Sequence, residues 1–332
     1  MPERAHWSSR RLAVAPDARV GVEVFELDSG ARGPHLLVLG GVHGDEVGGI
    51  VAAGRLAAVQ WPLRCGRLTV VPVAHEAAHL SDARVSPVDG GNLARSFPGA
   101  IGRTETEELA WLITHRLIAT ADVLIDLHTS NFTTDMPLFV GCVDDGSVHA
   151  TQAVELAFGF GLPLLWTHPA VGPGRTLTVA LDRGIPALYV ESPVGGVLNP
   201  VFIDAYIDGV GSVMESLGML APGAPRPEPA LWLHGNGDVD TFSAAEVGGL
   251  FEPAAALMQS VRRGQAVGTI IDSLGNTLSA VAAPADGYVT TLRRSARVAA
   301  GEPLVGITKP RVHHLGLPSD HITSRSRSIQ NE

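Results

Sequence analysis

Short, largely apolar runs alternate with longer stretches of helical period through the first two thirds of the chain. The runs His35–Gly40 (HLLVLG), Leu68–Ala74 (LTVVPVA), Val123–Leu127 (VLIDL) and Ala187–Val190 (ALYV) predict buried strands. Between them, Glu46–Gln60 is Ala-rich and free of Pro, and Thr104–Ala119 opens with Thr104 and Glu107 at capping-box spacing. Val148–Phe160 and Phe202–Leu220 are patterned as helices, and Thr176–Arg183 predicts a short helix stopped by Gly184 and Pro186. Strands alternating with helices predict an α/β layer, with a mostly parallel sheet flanked by helices.

The pattern changes after Ala221–Ala230 (APGAPRPEPA), which is too rich in Pro for a regular element and reads as a linker. Beyond it come short apolar runs punctuated by Gly, a β pattern with turn signals. Val261–Ile271 and Val298–Ile307 resemble each other: Val, then Gly, then an apolar strand. The division expected is 1–220 as an α/β catalytic domain and 221–332 as a small all-β, barrel-like domain with a polar tail from Arg311 onward. The text around APADGYV and VAAGEPLVGI resembles the small β-barrel of biotinyl and lipoyl carrier domains. Those carriers need a Lys at a hairpin tip, and the corresponding TLRRSA has none, which argues against a carrier role.

Composition narrows the function. With 332 residues, 45% hydrophobic and 17% charged, the chain can bury more than one small core. A net charge of −10 argues against a nucleic-acid surface, which needs basic clusters. Lys309 is the sole lysine, so Arg carries nearly all positive charge. Arg is the better residue for gripping carboxylates, although coding bias is the plainer explanation. Cys65 and Cys142 have neither metal-site spacing nor a disulfide framework. No stretch approaches a membrane span, and MPERAHWSSRR lacks the apolar core of a signal peptide, so a cytoplasmic location is expected.

The candidate chemistry lies where the predicted strands end. In GGVHGDEVGG (Gly40–Gly49), His43 and Glu46 are three apart in a turn between strand and helix, and both are zinc-ligand types. In IDLHTS (Ile125–Ser130), His128 closes a strand. Asp126 shares its face by the period of two and is placed to orient a metal-binding imidazole. Glu191 closes the run LYVESP. The long loop Arg84–Gly99 (RVSPVDGGNLARSFPG) carries Arg84 and Arg95, both suited to anions. Sites of open α/β sheets form outside the carboxyl ends of strands, and these features share that edge.

HGDE, NLARSFPG, DLHT and VES, in this order, resemble the succinylglutamate desuccinylase/aspartoacylase family of the zinc carboxypeptidase superfamily. The likeness spans roughly residues 35–215. It implies one zinc ion per chain held by His43, Glu46 and His128, with Glu191 as general base. It further implies Arg84 near the scissile carbonyl, Arg95 on the substrate carboxylate, and Asn92 in the substrate-binding loop at a position where Asp is also common. The family usually has Asn directly before the second Arg; here that residue is Ala94. The expected activity is deacylation of an N-acyl amino acid or N-acyl diamino acid by metal-activated water. The expected partner is a small molecule, with a homo-oligomer left open. A carboxypeptidase acting on short peptides shares the same motifs, and an inactive binding protein is a more distant alternative.

A rival zinc motif stands at His75–His79 (HEAAH), a literal match to H-E-x-x-H. That motif works on a helix, whereas here it follows a strand directly and a turn is expected. The remaining histidines, among them His168, are expected to be surface or satisfied core residues.

Overall fold

The computed structural model describes residues 5–16, 18–236 and 242–311. In chain order the first part contains β1 (Trp7–Ala13), β2 (Gly21–Asp28), β3 (His35–Gly40), α1 (Val47–Leu56), β4 (Arg67–Val71), α2 (Glu76–Leu80), α3 (Glu105–Arg116), β5 (Val123–Leu127), β6 (Thr134–Asp135), β7 (Phe139–Val143), α4 (Val148–Phe158), β8 (Leu164–His168), α5 (Thr176–Leu181), β9 (Ala187–Glu191) and α6 (Pro200–Ser216). The second contains β10 (Leu231–His234), β11 (Ser243–Ala244), β12 (Gly249–Pro253), β13 (Ser260–Val261), β14 (Ala266–Ile271), β15 (Thr277–Ala282), β16 (Gly287–Arg293), β17 (Arg297–Val298) and β18 (Pro303–Pro310). The tail beyond Arg311, with His313, His314 and His321, lies outside the described residues.

The large sheet runs β1-β2-β4-β3-β5-β9-β7-β8-β10. Its centre, β4-β3-β5-β9, is parallel, while β1, β2 and the β9–β7 pair are antiparallel. This is the mixed, mostly parallel sheet expected. All six residues of β3 and all five of β5 are buried, as strands covered on both faces must be. One face packs on α1, α4 and α6 through Leu56, Ile125, Phe160, Tyr206 and Val210. The other packs on α3 and α5 through Leu39, Ile113, Leu124 and Ala180.

Local chemistry sets the helix ends. Thr104 and Glu107 form the predicted capping box, Thr104 Oγ1 accepting from Glu107 N at 3.2 Å. The helix read over 46–60 stops at Leu56, because the Trp61 indole N–H donates to Leu56 O at 3.2 Å and the chain tightens there. Pro200 sits at the start of α6 behind an Asn199 cap, two residues earlier than the apolar pattern indicated. Strands β1, β2, β7 and β8 were not evident as strands in the hydrophobic pattern.

The small β unit has an internal two-fold pattern. In each half, a long strand is followed by a two-residue strand, a turn at a left-handed Gly (Gly264, φ 81°; Gly301, φ 87°) and a second long strand. Thus β12 pairs with β14 and β17, as β16 pairs with β18 and β13. Phe251, Val267, Ile270, Val289 and Val305 fill its core. The seam with the large sheet is continuous. β10, beyond the expected boundary at residue 220, lies parallel to β8, and β18 pairs with β10. β6 from the first part pairs with β16.

Candidate active site

His43, Glu46 and His128 meet above the carboxyl ends of β3 and β5. Among the described residues they are the one group of three or more His/Cys/Asp/Glu side chains that could hold a metal ion, with one potential ligand atom from each lying within 4.8 Å of the others. Gly49 allows the meeting. A Cβ on it would lie 2.3 Å from Leu127 O, so only Gly lets the first turn of α1 seat against the end of β5. Glu46 stands at the N-cap of α1 but spends its carboxylate on the site. Oε1 lies 2.7 Å from His43 Nδ1 and 2.7 Å from Arg84 Nη1. Oε2 lies 2.7 Å from His128 Nδ1 and accepts from Thr129 N at 3.2 Å.

Each imidazole has a second partner on its far side. His128 Nε2 is 3.1 Å from Asp126 Oδ2, and His43 Nε2 is 3.2 Å from Asn92 Oδ1. With a cation seated between the two Nδ1 atoms and the Glu46 carboxylate, the acceptors at Nε2 would keep a proton on each ring there and free the Nδ1 lone pairs to bind. That is the tautomer a metal requires, and nitrogen–nitrogen–carboxylate is a zinc donor set. The residues present therefore fit a zinc ion.

The electrostatics follow from these partners. Burial would raise Glu46, but the two imidazoles outweigh it and hold the carboxyl well below its ordinary value. Burial pushes His43 down to about 4 against the pull of Glu46. His128 is as deeply buried, yet Asp126 and Glu46 together raise it well above the ordinary value. The two rings differ because Asp126 backs His128, whereas the charges of Arg84 and His128 add to burial in lowering His43. Glu191, at the end of β9, is pushed up to about 8, first by burial and then by Glu46. Its Oε2 is buried without a hydrogen-bond partner.

A cleft opens on this group. Arg84, Ala94, Arg95 and Glu191 line it. Asn92 does not; its amide oxygen stands behind His43 and also caps the turn Leu93–Arg95 by accepting from Ala94 N at 3.0 Å. Arg175 lines the cleft, whereas Arg183 turns back to Val179 O.

Other lining residues were not singled out from the sequence. His168 is buried, with Nδ1 2.7 Å from Gly235 O and Nε2 2.7 Å from the Tyr189 hydroxyl. Both rings face the cleft. The available signal was position: His168 closes the apolar run LLWTH as His128 closes VLIDLH, and Tyr189 lies two residues before Glu191 on one strand face.

The HEAAH segment forms a helix of one turn, where a turn was expected. Its members diverge. Glu76 points out to Arg11, His79 Nδ1 bonds Gly44 O at 3.1 Å, and His75 is buried at the helix N-cap. Cys65 and Cys142 are free thiols.

Comparison with known proteins agrees with this geometry. The sequence model of the succinylglutamate desuccinylase/aspartoacylase catalytic domain matches residues 32–217. The N-alpha-acetyl-L-2,4-diaminobutyric acid deacetylase of Halomonas elongata is 30% identical over 287 residues, 84% of this chain and 83% of that protein. A succinylglutamate desuccinylase from Silicibacter sp. TM1040 superimposes with a TM-score of 0.82 at 25% identity, over 92% of this chain and 95% of that one. The product-bound ectoine utilization protein EutE (DoeB) from Ruegeria pomeroyi gives a TM-score of 0.83 at 24% identity, over 93% and 97% of the two chains.

Proposed function

The chain belongs to the succinylglutamate desuccinylase/aspartoacylase family, and from that premise we propose that it is a zinc-dependent deacylase of an N-acyl amino acid or N-acyl diamino acid. One observation carries the reading: two imidazoles present Nδ1 to one carboxylate, each backed at Nε2 by an acceptor, beside a half-buried Glu191 in the same cleft. The relative from Halomonas elongata, named for deacetylating an N-acetyl diamino acid, supports the substrate class.

His43, Glu46 and His128 would hold the zinc, which when bound polarises a carbonyl and acidifies water. Glu191 takes the proton of the attacking water and delivers it to the departing amine, the role its place in the cleft beside His128 and Glu46 allows. Arg84 faces the oxygen on which charge develops. Arg95 binds the substrate carboxylate, with Arg175 on the same cleft wall. Asn92 serves this substrate site from behind, by orienting His43. Ala94 leaves space where the family usually has an amide, which favours a substrate differing there in size or polarity. The reading assigns catalysis to residues 1–220, with 221–332 as the attached β domain, and includes a cytoplasmic location. Among the described residues no helix is long and apolar enough to cross a membrane.

The test is metal content by elemental analysis of wild type and His128→Ala, with hydrolysis of N-acetyl and N-succinyl amino acids, N-acetyl diamino acids and short unblocked peptides. The reading expects one zinc per chain and turnover of an N-acyl compound, both lost in the variant. Turnover confined to peptides would replace it with the carboxypeptidase reading. Zinc that survives His128→Ala would refute the assigned site.

A further inference from the structure

Two adjacent arginines occupy the turn from β16 to β17, in the segment TLRRSA. Neighbouring residues at a strand end face opposite ways, and these two do. Arg293 is 6% exposed and turns into the β domain. It donates to the carbonyls of Ser295, Arg297 and Pro303 and pairs with Glu302 at 2.9 Å, which braces the turn from within.

Arg294 turns outward onto the catalytic unit. Its Nη2 reaches Phe132 O at 3.1 Å, Asn131 O at 3.3 Å and Gly195 O at 3.5 Å. Its Nε lies 3.6 Å from Asp135 Oδ1, which itself accepts from Val194 N at 3.1 Å. The turn backbone adds two bonds, Arg294 N and Ser295 N donating to Thr133 O at 2.8 and 3.2 Å. β6 then pairs with the end of β16 through Arg293↔Thr134 and Leu292↔Asp135.

The carbonyls gathered by Arg294 come from two different loops. Asn131 and Phe132 follow His128 on β5; Gly195 follows Glu191 on β9. The parallel ladder between these strands extends as far as Ser130 N to Ser192 O, 2.8 Å. Past that point the loops abut so closely that a Cβ on Gly195 would lie 1.9 Å from Ser130 O. Carbonyl oxygens only accept hydrogen bonds, so packed loop tips need a shared donor. A guanidinium presents five N–H donors in a fixed planar fork, whereas an ammonium presents three on a flexible stem.

We propose that Arg294 is a positioning residue for the hydrolysis: the β16–β17 turn of the β domain ties the loop after His128 to the loop after Glu191 and so fixes the base relative to the metal-ligand group. The inference rests on the deacylase reading for its consequence on turnover, and the experiment separates the two. The metal-loaded full chain is compared as wild type, Arg294→Ala, Arg294→Lys and Arg263→Ala, an exposed β-domain control. Kinetics on N-acetyl diaminobutyrate are read with zinc content and amide hydrogen exchange.

Arg294→Ala is expected to lower kcat about 10–100-fold, with KM changed less than about 3-fold and zinc retained. Faster exchange is expected to be confined to residues 129–135 and 192–197, with partial recovery in Arg294→Lys and none of this in Arg263→Ala. Unchanged kcat and exchange, or exchange that rises across the whole β domain, would overturn the proposal. If wild type hydrolyses nothing in the panel, the deacylase reading fails, and the exchange pattern alone decides whether the two loops are tied by Arg294.

Discussion

His128 Nε2 lies 3.1 Å from Asp126 Oδ2, so the strand that delivers a metal-ligand candidate also delivers the group that orients it. Asp126 is itself held, accepting from Thr176 Oγ1 at 2.6 Å. Asp126→Asn keeps the shape and removes the charge. Zinc affinity, measured by chelator competition, is expected to fall about 10–100-fold. Unchanged affinity would show that Asp126 has no part in orienting the ring.

Asn92 does the same for His43 from another loop. Its neutrality makes its hydrogen bond the weaker of the two. Asn92→Asp, which places a carboxylate behind His43, is expected to raise zinc affinity relative to Asn92→Ala. An order of affinities with Ala above Asp would contradict the orienting role.

Glu191→Gln is expected to retain zinc and lose at least 100-fold in kcat, as measured in parallel by elemental analysis and steady-state kinetics. Stability carries a second signature. The folded carboxyl sits near 8 and the unfolded one near 4.5. Between those values the folded protein binds a proton that the unfolded chain releases, so stability falls as pH rises through that window. Urea unfolding of chelated protein at pH 5 and pH 9 is expected to show wild type losing stability relative to Glu191→Gln, by up to a few kcal/mol. Parallel pH profiles for the two proteins would remove burial as the cause of the raised value.

The cleft arginines are expected to separate kinetically. Arg84, 2.7 Å from Glu46, stands beside the reacting centre, and Arg84→Ala is expected to cost about 10²–10³ in kcat. Arg95→Ala is expected to act chiefly on KM for substrates bearing a free carboxylate. Comparison with the corresponding carboxamide checks this: equal losses on acid and amide would detach Arg95 from carboxylate recognition.

Gly49→Ala puts a methyl 2.3 Å from Leu127 O. The first turn of α1 must move away from β5, and it carries Glu46 from His128. A loss of about 1–3 kcal/mol is expected from the overpacking, together with weaker zinc binding. Thermal unfolding and metal titration would check both; full zinc affinity would show that α1 adjusts without moving Glu46.

Much of this protein is legible locally. Apolar runs mark β3, β5 and β9 because a strand covered on both faces must be apolar throughout. The residue that ends such a run, His128 or Glu191, emerges on the carboxyl edge, where sites of open sheets form. His43 and Glu46 are close because a turn keeps residues three apart together, and Thr104 and Glu107 cap α3 for the same short-range reason. Contacts between distant parts of the chain carry no such local signal. Asn92 stands behind His43, Tyr189 meets His168, β10 joins the large sheet beyond the Pro-rich linker, and Arg294 closes on Asn131. Spacing along a strand or helix specifies neighbours two to four residues away. Which surfaces then meet depends on sheet order, register and close approaches such as those at Gly49 and Gly195, and none of these has a short-range signature.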